Sequence, residues 1–478
     1  SVNAAATKRG FGATKPGDRG SKPEAASDGR GPVRKGRGVP AGDHIVWVGW
    51  SALSVPARVV SILPRTASPS AVSAHWKLSG SELGFLLSAG LFGMAAGSLL
   101  LAPMADKLGR RPLILLCLAV SGLGMLASAW SQTPTQLAVL RVITGLGVGG
   151  ILACSNVIAS EYASLRWRSL AVTLQSTGYA LGATIGGSIA VWLLAHHGWR
   201  SVFLFGGCST LAVLVLAWFA LPESLDFLLV KRPANALQRL NGLIRKMGLP
   251  ALGSLPQAVA AGSGEGKRMG PLQLLSPRLL RPTLLVWLSF FSVMFGFYFV
   301  MSWTPTLLAA SGLTPEQGVT TGVLLSLGGI LGATLLGLLA ARFAIHRALA
   351  VFMLVTAVLL CFLVGSSGAL WMSYTLAFLI GVFVNACVAG LYAIAPVVYG
   401  SDVRATGVGW GIGIGRIGAI VSPLVAGGLL DAAWSPDQLY LGYGMAFVLA
   451  AVIVSMHRIA GPQAADRGAA SETVAAAH

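Results

Sequence analysis

Residues 97–120 read GSLLLAPMADKLGRRPLILLCLAV, and this pattern decides the fold. An apolar run ends at Met104. Asp106, Lys107, Arg110 and Arg111 follow within six positions, and a second apolar run opens at Pro112. Two apolar runs of membrane length joined by a polar turn form a hairpin at a membrane surface. A short loop rich in Lys and Arg stays on the cytoplasmic side. Gly109 gives the turn its backbone freedom. Pro112 suits the first helical position, where its missing N–H costs nothing. The alternative is an ordinary basic loop, but a degraded second copy of the motif at 340–349 argues against it.

The composition points the same way. Of 478 residues, 55% are hydrophobic and 10% charged, where a soluble chain would carry roughly 25% charged residues. The chain therefore reads as an all-α integral membrane protein. A net charge of +18 could indicate nucleic acid. The cations sit in loops and tails between apolar spans, however, so the anionic inner leaflet is the better partner and no nucleic acid is expected. Cys117, Cys154, Cys208, Cys361 and Cys387 all lie inside apolar runs. None has metal or redox spacing, so they read as packing residues. There is no phosphate loop, metal constellation or nucleophile elbow, so no enzyme, cofactor or metal site is expected. The sequence opens on Ser1, which reads as a trimmed or incomplete start.

In chain order, residues 1–43 are rich in Gly, Pro, Lys and Arg without apolar periodicity and read as a disordered basic tail. No secretory signal pattern occurs. Ile45–Leu63 is a poor spanning helix, broken by Pro56, Arg58 and Pro64. Clean apolar spans then run roughly over 83–105, 112–131, 135–160, 169–195, 201–221, 282–304, 318–341, 347–365, 369–394, 405–430 and 438–457. These are eleven, or twelve if Ile45–Leu63 stands as the first. The expected organisation is an N-terminal six-helix half at 44–221, a cytoplasmic linker at 222–281, a C-terminal six-helix half at 282–458 and a tail at 459–478. Basic residues collect in alternate loops, and Arg200 is the exception on the opposite side. This predicts both termini on the cytoplasmic side.

An internal repeat supports the two halves. ADKLGRRPL at 105–113 aligns with AARFAIHRAL at 340–349, an offset of 235, which sets Asp106 on Ala341. RSLAVTLQSTGYALGATIGG from Arg168 aligns with RATGVGWGIGIGRIGAIVSP from Arg404, an offset of 236. Transporters are commonly duplicated in this way, with the site at the interface of the repeats.

Five ionisable positions stand out beside the hairpin's Asp106, Arg110 and Arg111. Arg141 opens RVITGLGVGG, inside a span where an arginine is expensive and faces a cavity or partner. The alternative is a side chain that snorkels to the interface. Glu161 ends the same span, where it can pair with Arg110 or Arg111 or remain solvated. Arg416, in GWGIGIGRIGAIVSP, lies twelve residues into its span, about 18 Å deep. A guanidinium there suits a carboxylate ligand held bidentately, against the alternative of a structural interhelical pair. Arg404 opens that span at the face where Asp106 ends its own, and a carboxylate near a helix N-terminus is stabilised. His346 titrates in the physiological range or is plain surface. A cluster of aromatics at 290–303 offers stacking surfaces that the sequence does not rank.

These residues resemble the major facilitator superfamily. ADKLGRR is similar to its loop between helices two and three, and RVITGLGVGG to its fourth-helix signature. SEYASLRWRSLAVTLQSTGYALGATIGG, GWRSVFLFGG, LPESLDFLL and RATGVGWGIGIGRIGAI resemble the aromatic acid:proton symporters within it, over about 80–460. The resemblance implies a major facilitator-type twelve-helix fold in two six-helix halves, in a bacterial inner membrane. It implies proton-coupled uptake of an aromatic acid such as 4-hydroxybenzoate, by alternating access, driven by the proton gradient and without a cofactor. The expected partners are the small aromatic acid, protons and membrane lipid, with the chain a monomer. Arg416, with Arg141 second, would bind the carboxylate. Asp106, Arg110, Arg111, Glu161, His346 and Arg404 would serve gating and proton coupling. A transporter of another small organic acid or a sugar stays open.

Two departures stand out. Ala341 occupies a position where the family usually has Asp. The first helix should contain Asp-Gly-Phe-Asp, yet no acid occurs between Asp43 and Glu82. The first helix thus reads as degenerate. One expectation is a shifted reading frame up to about Ser70, since one permitted coding of Val59-Val60-Ser61-Ile62 gives Gly-Phe-Asp two bases on. The other is a diverged first helix, weak or absent proton coupling and a transport-defective protein. Resequencing across codons 40–75 separates the two.

Overall fold

The computed structural model describes residues 69–161, 168–231, 235–246, 274–340, 342–365, 369–399 and 403–456. The expected basic tail, the degenerate first helix with its frame question, Ala341 and the C-terminal tail lie outside these residues, as do the side chains of Asp106, Glu161 and Arg404.

The described chain is helical. A short helix α1 (Pro69–Trp76) leads into α2 (Gly80–Leu100), α3 (Ala102–Leu108), α4 (Arg110–Ala129), α5 (Pro134–Glu161), α6 (Arg168–His197) and α7 (Trp199–Ala220). Two short helices follow, α8 (Leu225–Val230) and α9 (Ala236–Lys246). The second series comprises α10 (Pro277–Ala310), α11 (Pro315–Ala340), α12 (Ile345–Val364), α13 (Leu370–Val398), α14 (Arg404–Asp431) and α15 (Pro436–Ser455). Among the described residues, each of the eleven apolar spans of the sequence falls mainly on one long helix. Ten helices are long and apolar enough to cross a membrane, namely α2, α4, α5, α7 and α10–α15. Large apolar side chains such as Phe85, Trp218 and Phe219 stand exposed on them, which lipid tolerates and water does not.

The basic hairpin is tighter than its sequence suggests. The apolar run up to Met104 is not one helix: α2 closes at Leu100. After Leu101 the chain continues as α3, with the Ala105 N–H donating to the Leu101 carbonyl at 3.2 Å. Pro103 removes one donor there and marks the break between α2 and α3. The turn itself is Gly109, with φ +98° and ψ 154°, a backbone open to glycine and costly for other residues. The next helix begins at Arg110 rather than Pro112. Pro112 still falls in the first turn, where an N–H has no intrahelical partner. Likewise α10 begins at Pro277, five residues before the expected start at 282. Ser276 is its N-cap residue, and a proline at the first helical position is pre-organised for the helix.

Close helix approach recurs in both series. A Cβ on Gly93 or Gly97 of α2 would strike the carbonyls of Val142 or Leu146 on α5. A Cβ on Gly328 or Gly332 of α11 would strike those of Phe378 or Val382 on α13. The paired glycines are 235 residues apart, the offset of the sequence repeat. Helix pairs α2–α5 and α11–α13 are thus built on one plan, in which small residues bring backbones together where lipid offers no hydrophobic drive.

The two series meet through α2 with α14 and α6 with α11. The basic hairpin marks one end of the helices, here the basic end. The opposite end holds the start of α2 and the close of α14. The described contacts between the series lie toward that opposite end. Gly84 abuts the Pro423 carbonyl, the Ser88 hydroxyl donates to the Ile420 carbonyl at 2.8 Å, and Gly187 faces Val323. Ala190, Val202 and Val319 pack into one buried cluster there.

Candidate functional site

Arg416 stands at the middle of α14, twelve residues from Arg404 and fifteen from Asp431. That is about 18 Å and 22 Å from the two helix ends. It lines a cavity of about 190 Å³ together with Tyr298 of α10, Tyr392 of α13, Leu91 and Met94 of α2 and Leu152 of α5. Met294, Ile412, Gly415, Ala419 and Ile420 are the other described residues of its wall. The cavity therefore draws on both series of helices. It lies just on the basic side of the Ser88–Ile420 contact, so the opposite end is closed above it.

The glycines of α14 make this room. A Cβ on Gly415 would press on Met294 and Phe290, and one on Gly411 on Val286 and Phe290. Phe290 in turn meets Tyr392 edge to face, with centroids 5.7 Å apart and planes at 80°. Tyr298 packs the same way on Phe297 at 5.2 Å and 81°. Tyr392 is near enough to interact electrostatically with both Tyr298 and Arg416. Among the described residues, neither of these two phenols nor the Arg416 guanidinium has a hydrogen bond or an ion pair. By contrast the Tyr443 hydroxyl, outside the cavity, donates to the Ser422 carbonyl at 2.6 Å. Three polar groups thus converge from three helices on one small space whose other described lining side chains are apolar. Such a cavity fits a flat anion with an apolar body.

Arg141 takes a different position. It is 6% exposed, and its guanidinium carbon lies 5.6 Å from the centre of the Phe203 ring of α7. It sits within the first series and is not among the residues that line the Arg416 cavity.

At the basic end the structure brings together groups that the sequence separates. The Glu223 carboxylate accepts the backbone N–H groups of Arg110 at 2.8 Å and Arg111 at 3.1 Å, capping α4. Arg110 also donates to the Ser224 hydroxyl at 3.1 Å, and Arg111 to the Trp218 carbonyl at 2.6 Å. Glu223 was missed by the sequence reading, although LPESLDFLL carried it; a carboxylate just past an apolar span was its one local signal. Backbone places Asp106 on α3, Glu161 as the last residue of α5 and Arg404 as the first of α14. His346 is half-buried in the first turn of α12, with no hydrogen-bond partner for its Nδ1 among the described residues.

Comparisons with known proteins agree with this architecture. Residues 54–423 match the Major Facilitator Superfamily. The chain is 36% identical over 383 residues to the gallate transporter of Pseudomonas putida, covering 79% of this chain and 84% of that protein. It is 32% identical over 386 residues to the 4-hydroxybenzoate transporter PcaK of Pseudomonas aeruginosa, covering 80% of this chain and 86% of that protein. Its fold matches the crystal structure of a D-xylose–proton symporter with a TM-score of 0.67 at 15% identity, over 87% of this chain and 98% of that one. The chain is therefore a multi-pass membrane transporter, not an enzyme: it belongs to the Major Facilitator Superfamily and, within it, to the aromatic acid:proton symporter family.

Proposed function

We propose that this protein takes up an aromatic carboxylate of the hydroxybenzoate class together with protons, by alternating access, across a bacterial inner membrane. One observation carries the reading: Arg416 stands mid-helix in a small apolar cavity, without a partner among the described residues. A cation in such a place is costly unless something neutralises it, and a substrate carboxylate does so bidentately. A cavity of about 190 Å³ falls below the roughly 300–1,000 Å³ of drug-sized sites, which matches a single substituted ring.

In this reading the closed contact between α2 and α14 faces outward and the basic end faces the cytoplasm, with both termini inside and the chain a monomer. The excess of cations at the basic end supports that orientation. Asp106, Glu161, His346 and Arg404 serve gating and proton coupling there. Arg110 and Arg111 hold the basic hairpin to Glu223. Arg141 keeps the second place as a carboxylate ligand, to be reached in another conformation.

The test is uptake of labelled 4-hydroxybenzoate and gallate by cells producing the protein, with and without a protonophore. Uptake abolished by the protonophore is expected. Uptake indifferent to it overturns symport. No uptake of any aromatic acid by a well-expressed protein overturns the substrate class, and points to another organic acid, a sugar or a defective first helix.

A further inference from the structure

We propose that Tyr298 and Tyr392 are the specificity-determining residues of this cavity: their phenols hydrogen-bond hydroxyl groups on the ring of a substrate whose carboxylate Arg416 holds. The inference rests on the reading of Arg416 above and goes beyond it, because it predicts which aromatic acids are preferred.

Among the described residues, the N-terminal helices contribute apolar groups to its wall, Leu91, Met94 and Leu152. The polar side chains among its described lining residues are Arg416, Tyr298 and Tyr392, all from the C-terminal series. One guanidinium is enough to hold one carboxylate in a fork. Two phenols are then left facing a space whose other described lining side chains are apolar. Among the described residues neither hydroxyl has a hydrogen-bond partner, and Tyr392 is 43% exposed, so its ring reaches the open space of the cavity. A substrate with its own ring hydroxyls can bond to both phenols. A bare benzoate cannot.

Geometry favours the same assignment. Each phenol ring is held edge to face by a neighbouring phenylalanine, Tyr392 by Phe290 and Tyr298 by Phe297. Phe290 is itself wedged against the glycine face of α14 that carries Arg416. The two hydroxyls are thus set relative to the guanidinium by packing rather than by flexible stems. Rings held in this way discriminate, since a site built to meet a hydroxyl penalises the analogue lacking it far more than an apolar pocket penalises an extra group. Met94 and Met294 supply the polarisable wall against which an aromatic face packs.

The test compares uptake of gallate, 4-hydroxybenzoate and unsubstituted benzoate by the wild type, Tyr298→Phe and Tyr392→Phe, each normalised to the amount of protein in the membrane. The wild type should prefer the hydroxylated acids. Each Phe variant should lose about five- to tenfold in that preference, the worth of one hydrogen bond, with uptake of gallate and 4-hydroxybenzoate falling more than that of benzoate. Two outcomes overturn the proposal: equal loss for all three acids, which assigns the phenols to the carboxylate, or unchanged selectivity in both variants. Failure of the wild type to carry any of the three acids overturns the transport reading itself, and this proposal with it. Phenylalanine keeps the ring and its packing, so a folding defect is not expected.

Discussion

The Asp431 carboxylate, at the end of α14, accepts hydrogen bonds from the Gly80 N–H at 2.6 Å and the Ser81 N–H at 2.8 Å, in the first turn of α2. Ser79 and Glu82 complete a capping box on the same turn. The start of α2 therefore has its free N–H groups met partly by its own sequence and partly by the other series of helices. A carboxylate at a helix N-terminus gains from the dipole as well as from the hydrogen bonds. Gly80 and Gly427 allow this approach, since a Cβ on either would strike the other's carbonyl oxygen.

This contact has to break if α2 and α14 separate at that end during transport. Asp431→Asn keeps the shape and removes the charge. It should raise the labelling of a cysteine introduced as Ser88→Cys, which lies just beneath the contact, by a membrane-impermeant maleimide added from the side of Asp431. Unchanged labelling, against the Ser88→Cys parent, would show that Asp431 does not hold this end shut.

Arg416→Ala should reduce aromatic acid uptake by about a hundredfold or more, since removing one partner of a desolvated charge pair costs about 3–5 kcal/mol. Arg416→Lys should restore little, because an ammonium lacks the planar fork that matches a carboxylate. Initial uptake rates at matched membrane levels check both. Wild-type rates in Arg416→Ala would take the carboxylate away from this residue.

Glu223→Ala should lower the thermal midpoint of the detergent-solubilised protein. It strips the α4 cap from the N–H groups of Arg110 and Arg111, a loss of about 1 kcal/mol by comparison with other N-caps. Glu223→Gln should fall between the two, since an amide oxygen still accepts but carries no charge. An unaltered midpoint in Glu223→Ala would rule out the cap as a stabilising feature.

The glycine contacts make a paired prediction. Gly97→Ala and Gly332→Ala each push a methyl into a facing carbonyl, of Leu146 and Val382 respectively. Each should destabilise the protein by about 1–3 kcal/mol, as overpacking does. Gly337→Ala, on the same helix as Gly332 but with nothing within 4 Å of the added methyl, should be neutral or stabilising, because alanine is the better helix former. Thermal unfolding of the three variants decides. Similar midpoints for Gly332→Ala and Gly337→Ala would contradict the packing.

Much of this was written in the sequence, and for a physical reason. A bilayer forces every backbone polar group to be satisfied within its own segment, so an apolar run of the right length becomes a helix whatever surrounds it. That is why ten of the eleven spans, the basic hairpin, the 235-residue repeat and the mid-helix depth of Arg416 could be read without coordinates. The direction in which a side chain points could not. A membrane helix is apolar toward lipid and toward its neighbours alike, so periodicity does not mark its inner face. Only packing placed Tyr298 rather than Phe291 beside Arg416, and turned Arg141 toward Phe203. The caps lay further out of reach. Glu223 meets Arg110 across 113 positions and Asp431 meets Gly80 across 351, and no local propensity encodes a partner so distant. The sequence determined where the chain crosses the membrane and where its charges lie; the tertiary structure alone decided which of those charges meet.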